Sequence, residues 1–314
     1  MYFYELFSHA DRFTHRTQIL SNATFVLILC TTLTFLPPFL LTYYTGDFWL
    51  QELIYSEQPV VDQTNYILQT LNNANNQFFA SSYSTLNENF QNSLVSTAEN
   101  KMPFDTDGDG LIDQFQTTFD LTFADSTTQI SSLNIWLLFQ FQLSRKQYIN
   151  METMALISFV SPATLTPGSN QNITIYGDLT FEQRKPIQNS GSDATYNTPI
   201  IDTTSSSLSP DLNLILDNYF VRNYYTSYQT QYISMAPRTT TVDTTKLTVN
   251  IIVNVGRQAI RYRPGFWQAF KWGWIQYICV LIPFMMIFNR LKVFVFSNQI
   301  VRTSVPLPKH RHQA

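Results

Sequence analysis

Nine residues, DTDGDGLID at positions 105–113, hold four of the chain's 22 acids, although only 13% of its residues are charged. Asp105, Asp107, Asp109 and Asp113 fall at positions one, three, five and nine of an oxygen-ligand loop. Gly110 takes position six, where such a loop turns sharply. The chemistry would be that of a hard cation. Side-chain oxygens of Asp105, Asp107 and Asp109, the backbone carbonyl of Leu111, and Asp113 directly or through water form a candidate calcium set. Position twelve departs from the helical-hand pattern, since Gln116 stands there rather than a bidentate Glu, and a strand rather than a helix follows. A plain β-turn is the competing reading, because Asp-Gly dipeptides join strands without any ion. Weak calcium sites, at ~10⁻⁴ to 10⁻³ M, are filled outside the cell, so the side of the membrane on which the loop lies matters first.

Other chemistry is scarce. Residues 46–265 hold neither histidine nor cysteine: His9, His15, His310 and His312 lie in the tails, and Cys30 and Cys279 in two apolar runs. That excludes an imidazole base, a thiol nucleophile and a His or Cys zinc site from this region. No paired carboxylate constellation replaces them, so the chain reads as a non-enzyme.

The elements that must carry the loop begin with those two runs. They predict transmembrane helices over 19–45 and 266–288, each near the ~20 apolar residues that span a bilayer. Residues 46–265 carry 20 acids and 11 bases, a net of −9, whereas 289–314 carry five bases and no acid. Arg12 and Arg16 precede the first run, and Asp47 and Glu52 follow it. Positive-inside orientation then places residues 1–18 and the basic tail 289–314 in the cytoplasm and the domain 46–265 on the exoplasmic side. Arg257, Arg261 and Arg263 weaken the bias at the second run, so the first decides. A retained anchor is favoured over a cleaved signal peptide, since the first run lacks an A-x-A-like exit. Arg263, Trp267, Lys271 and Trp272 are expected to anchor the outer interface. Pro283 is expected to kink the second helix.

Strict alternation at Phe115–Phe123, Leu133–Leu143, Ile173–Ile175 and Leu247–Val255 predicts strands with one buried face. Polar clusters such as SPATLTPGSNQN and QNSGSDATYNTP separate them. One helix is expected, capped by Ser209, with Pro210 in its first turn and Leu212, Ile215, Leu216, Tyr219 and Phe220 as its apolar stripe. The fold class is therefore a membrane protein in which two transmembrane helices flank a mainly β domain, an antiparallel sandwich with one packed helix. Asn172-Ile173-Thr174 is a glycosylation sequon in that domain. After the second run, Leu291, Val293 and Val295 alternate with Lys292, Phe294 and Phe296. The five tail bases suit anionic inner-leaflet lipid at ~1 kcal/mol each, with plain solvated charge as the alternative. A two-span channel or receptor subunit is the other functional class, but towards the middle of the runs the polar groups are Thr31, Thr32, Thr34 and Gln276, with no ionisable one mid-membrane.

Several segments together resemble the transmembrane protein 231 family. They are YELFSH (4–9), LTFLPP (33–38), FWL (48–50), EQP (57–59), GDL (177–179), DATYN (193–197), YRPGFW (262–267), IQY (275–277) and FNRLKVFVFSNQIV (288–301). The region around 62–100 and the terminal tail match poorly. The acidic loop has a counterpart in the family, which says nothing of its metal occupancy. The resemblance implies a structural role in the membrane of the ciliary transition zone, alongside tectonic and other Meckel-syndrome complex members. There such proteins support cilium assembly and a barrier to exchange of membrane proteins. It offers no catalytic residue to carry over, and no nucleic-acid partner is expected.

Overall fold

The computed structural model describes residues 17–18, 21–45, 50–74, 76–126, 128–166, 171–202, 211–237 and 245–304. Two compact units result, residues 52–263 and the flanking segments 1–51 with 264–314.

Unit 52–263 is a β-sandwich. One five-stranded sheet runs β3 (Gln77–Ser81), β2 (Val60–Asn72), β6 (Ile130–Leu143), β7 (Tyr148–Leu165) and β9 (Ser192–Asp193). The other runs β10 (Tyr224–Pro237), β8 (Gln171–Gln183), β11 (Lys246–Asn254), β5 (Gln114–Thr122) and β4 (Ser96–Phe104). A two-stranded ribbon, β1 (Leu53–Glu57) with β12 (Gln258–Tyr262), completes the unit. Most pairs are antiparallel, but β8–β11 and β7–β9 run parallel, so both sheets are mixed.

The alternating residues converge on one core. Phe119, Leu121, Ile135, Leu137, Phe139, Ile175, Val249 and Ile251 are all fully buried between the sheets. Ring contacts cross from sheet to sheet, as in Tyr66–Phe119 at 4.8 Å and Phe115–Phe139 at 5.5 Å. Strand β6 has a second buried face. Trp136 and Leu138 point away from the core and join Ile67, Phe79, Met154 and Tyr219 beneath α3 (Leu212–Phe220), with Leu86 of the short α2 (Ser84–Asn89) in the same cluster. A strand apolar on both faces is one covered on both.

Helix α3 departs from expectation at its start. Asp211 is the cap, its carboxylate accepting the Asn213 N–H at 3.0 Å; Ser209 and Pro210 lie outside the described residues. An anionic cap favours that end of the helix dipole. The separator SPATLTPGSNQN is also shorter than expected, because Ser161–Leu165 still belong to β7.

The flanking unit pairs two helices, α1 (Asn22–Tyr44, 23 residues) and α4 (Phe266–Ser297, 32 residues). Both are long and apolar enough to cross a membrane. The buried side of α1 is Ala23, Cys30, Thr34, Pro38 and Thr42, and that of α4 is Ala269 and Gly273. Small residues let helix backbones approach closely in lipid. Thr34 and Thr42 donate their hydroxyls to the Cys30 and Pro38 carbonyls at 2.7 and 2.8 Å, hiding polar groups within the helix itself. Helix α4 runs past the expected limit at 288 to Ser297, so the 291–296 alternation lies in a helix, not a strand. Its extension brings Lys292 Nζ to 3.4 Å from Thr31 Oγ1, an ammonium beside the apolar stretch of α1 that the span limits left out.

Candidate functional site

The acidic loop joins β4 to β5. Phe104 O accepts the Asp113 N–H at 2.9 Å and Asp113 O accepts the Val255 N–H at 2.7 Å, which fixes both ends of the loop to the sheet. Gly108 and Gly110 sit at φ +76° and +85°, the left-handed region that side-chain-bearing residues rarely adopt. These two turns fold the loop inward. One carboxylate oxygen each from Asp105, Asp107 and Asp109 then lies within 4.8 Å of the others, all exposed.

Backbone N–H groups hold the carboxylates in place. Asp105 accepts from Gly108 at 2.7 Å and from Gly110 at 3.0 Å, and Asp109 accepts from Leu111 at 2.8 Å. Each carboxylate oxygen keeps a further lone pair, so this donor set suits a hard cation, and Asp105, Asp107 and Asp109 are the residues that would hold calcium. Asp113 behaves differently. Its carboxylate takes the Thr106 N–H and the Gln58 amide, each at 2.8 Å, and those two bonds hold its pKa below the usual carboxylate value. It pins the loop to the β1–β2 turn and does not converge with the other three. Leu111 lines, with Asp109, a cleft of about 390 Å³ shared with Glu57, Gln58, Arg145 and Arg257.

Other motif residues prove to be clamps. Glu57 of EQP accepts the N–H groups of Ser144 and Arg145 at 2.8 and 2.9 Å, and so pins the β6–β7 turn. In DATYN, Asp193 accepts from the Tyr224 hydroxyl, and the Tyr196 ring lies 5.1 Å from the Arg222 guanidinium. Burial, reinforced by Asp193, pushes the Tyr224 hydroxyl pKa well up and keeps it a neutral donor. Gly177 of GDL leaves no room for a side chain: a Cβ would meet Gln229 O and Tyr228 Cζ, both at 2.5 Å.

Two buried polar clusters carry no sequence signal, because their members lie far apart in the chain. Tyr219 Oη donates to Thr226 O at 2.8 Å, accepts from Thr226 N at 3.0 Å and bonds Thr153 Oγ1 at 2.7 Å, tying α3 to β7 and β10. Gln63 accepts from Thr117 at 2.6 Å and donates to Glu99 at 2.9 Å. Burial raises the Glu99 pKa, against the opposing charge of Lys101.

The expected interface anchors divide. Trp267, Lys271 and Trp272 are exposed on the first turns of α4, with Trp267 at 76%. Arg263 is exposed but belongs to the β unit, where its N–H donates to Ile187 O at 2.8 Å. Asn172 lies within β8, opposite Ala236 of β10 and Thr248 of β11. Its Oδ1 is buried without a partner among the described residues.

Two apolar helices bracketing a mainly β domain define a two-span membrane protein. Residues 1–305 match the family described as Transmembrane protein 231. The chain belongs to that family. The Transmembrane protein 231 of Rattus norvegicus is 33% identical, with 98% of this chain and 96% of the relative covered. That of Homo sapiens is 32% identical over the same shares, and that of Xenopus tropicalis is 31% identical over 98% and 97%. Among solved structures, a proton-activated chloride channel aligns over 89% of this chain and 98% of its own, with a TM-score of 0.32 and 6% identity, which carries no argument.

Proposed function

We propose that the chain is a non-enzymatic structural component of the ciliary transition-zone membrane, contributing to cilium assembly and to a diffusion barrier for ciliary membrane proteins. Membership of the Transmembrane protein 231 family along almost the whole chain is the observation that carries this reading. The family-like segments support it further, since those placed in the β unit work as structural clamps: Glu57, Gly177, Asp193 and Tyr196 each fix one strand or turn against another.

In this reading both termini are cytoplasmic and the β domain is exoplasmic. The domain and the two helices assemble with other transition-zone membrane proteins, tectonic and Meckel-syndrome complex members. Calcium, when bound by Asp105, Asp107 and Asp109, neutralises three crowded carboxylates and stiffens the loop. The loop's own residues do the positioning, through the Gly108, Gly110 and Leu111 N–H groups and the Asp113 bracket. Arg290, Lys292 and Arg302, near the cytoplasmic end of α4, attract anionic inner-leaflet lipid.

The test is the position of a tagged copy, at native expression, in a ciliated cell relative to a basal-body marker. A ring just beyond the basal body is the expected outcome. Signal spread evenly over a membrane would overturn the reading and favour a channel or receptor subunit.

A further inference from the structure

Among the described residues of unit 52–263, no helix lies on the outward face of the β10-β8-β11-β5-β4 sheet, which is bare in that sense, since α2 and α3 both belong to the cluster on the other sheet. Its residues fall into registered rows. Ser234, Thr174, Asn250, Thr118 and Asn100 form one row across all five strands, with amide or hydroxyl groups and no charge. The next row is Tyr232, Tyr176, Ile252, Gln116 and Met102, in which the two tyrosine rings lie 6.4 Å apart. Tyr232 is 65% exposed and Met102 46%. The row on the other side holds Asn172, between Ala236 and Thr248.

The sequon therefore opens onto this face. Asn172, Thr174 and Tyr176 alternate with the buried Ile173 and Ile175, so both sequon polar residues and the tyrosine pair share one surface. Asn172 is half-buried in its row, with its Oδ1 buried and without a partner among the described residues. The face has the chemistry that receives sugars. Amides and hydroxyls exchange hydrogen bonds with sugar hydroxyls, and aromatic rings take the apolar sides of the sugar rings.

We propose that Asn172 carries an N-linked glycan that lies along this face, covering the Asn/Thr row and the Tyr176–Tyr232 pair. In the transfer, Nδ2 forms a bond to the anomeric carbon of a lipid-linked oligosaccharide. The bond from that carbon to phosphate breaks, the lipid pyrophosphate leaves, and the amide gives up one proton to the medium. Nothing is oxidised or reduced. The proposal rests on the exoplasmic placement of the domain and adds to it that protein partners dock elsewhere than on this face.

The full chain is expressed in animal cells and treated with an N-glycosidase. Wild type and Thr174→Ser, which keeps the sequon, should each lose the mass of one glycan; Asn172→Gln and Thr174→Ala should show no shift. Ser190→Asn places a control sequon, Asn-Gly-Ser, in the exposed 188–192 loop. A modified control with an unmodified Asn172 would overturn the proposal and leave the exoplasmic placement standing. Neither site modified would overturn the placement and the proposal together. Coverage is read separately, by labelling Tyr232→Cys with a membrane-impermeant maleimide before and after glycosidase, against Leu214→Cys on α3. Deglycosylation should raise the rate at position 232 at least threefold and leave 214 unchanged. Equal rates would show a glycan that points away and would overturn the covering role.

Discussion

The two sheets of the sandwich share one core but treat their other faces in opposite ways. On the first sheet, Ile67, Phe79, Trp136, Leu138 and Met154 point outward and are 0–6% exposed, because α3, α2 and Ile201 lie over them. On the second, the two rows from Ser234 to Asn100 and from Tyr232 to Met102 are mostly Ser, Thr, Asn, Gln and Tyr, with Ile252 and Met102 among them, and each of these residues is half-buried or exposed. Burying an apolar side chain is favourable roughly in proportion to the area removed from water. The first sheet is therefore committed to its helix, whereas the second can stand in water or receive a polar cover. Stability and interaction are thus divided between opposite sides of one domain.

Matched truncations on the two faces would break or confirm that division. Trp136→Ala empties the space under α3 and is expected to cost about 3–5 kcal/mol. Ile252→Ala, at the centre of the bare face, is expected to cost about 1 kcal/mol, in line with its partial burial. Denaturant unfolding of the detergent-solubilised full chain compares them. Similar losses would mean that something covers the second face as tightly as α3 covers the first.

The second test asks why the bare sheet keeps its shape without a helix. Gly177 sits where β8 passes under the Tyr228 ring, and that ring is fixed by hydrogen bonds from its hydroxyl to the Ile252 and Ile175 carbonyls at 3.1 and 3.3 Å. Gly177→Ala drives a methyl into both the ring and the Gln229 carbonyl. Overpacking of this kind costs about 1–3 kcal/mol, less than Trp136→Ala and more than any single change on the outward side. An unchanged melting temperature would show that β8 and β10 can part locally, and would loosen the argument for a rigid open face.

Legibility in the sequence followed the same division. Strands β5, β6, β8 and β11 announce themselves because one face is apolar at period two. Strands β4 and β10 do not. Their edge positions leave Asn, Gln, Thr and Ser in contact with water, so STAENKMPF and YYTSYQTQYISMAP show no strict alternation. The apolar stripe of α3 was readable, but its cap was not, since Ser209 and Asp211 are both good caps and only the chain path selects between them. The alternation over 291–296 does not show where α4 ends, because a helix in lipid needs no amphipathic period and runs through it to Ser297. At the acidic loop the spacing pointed to Asp105, Asp107 and Asp109 together, as the structure places them. It also pointed to Asp113, whose partner Gln58 is 55 residues away and beyond the reach of any local pattern.

The smallest effects belong to that loop, at the edge of the bare sheet, and they separate its two kinds of carboxylate. Millimolar calcium is expected to raise the melting temperature of the full chain modestly, as befits a site of ~10⁻⁴ to 10⁻³ M affinity. The double substitution Asp107→Ala with Asp109→Ala should abolish the rise while sparing the Asp105 contacts that shape the turn. Asp113 should answer to pH instead. Its folded-state pKa lies below its unfolded value, so its stabilising bonds to Thr106 and Gln58 are fully present above about pH 4 and fade as pH falls through the lowered pKa. Asp113→Asn should therefore lower the melting temperature at pH 7 and make progressively less difference below pH 4, with or without calcium. If the Asp113→Asn penalty instead vanished when calcium was removed, Asp113 would belong with the ligands and the loop would hold four converging carboxylates.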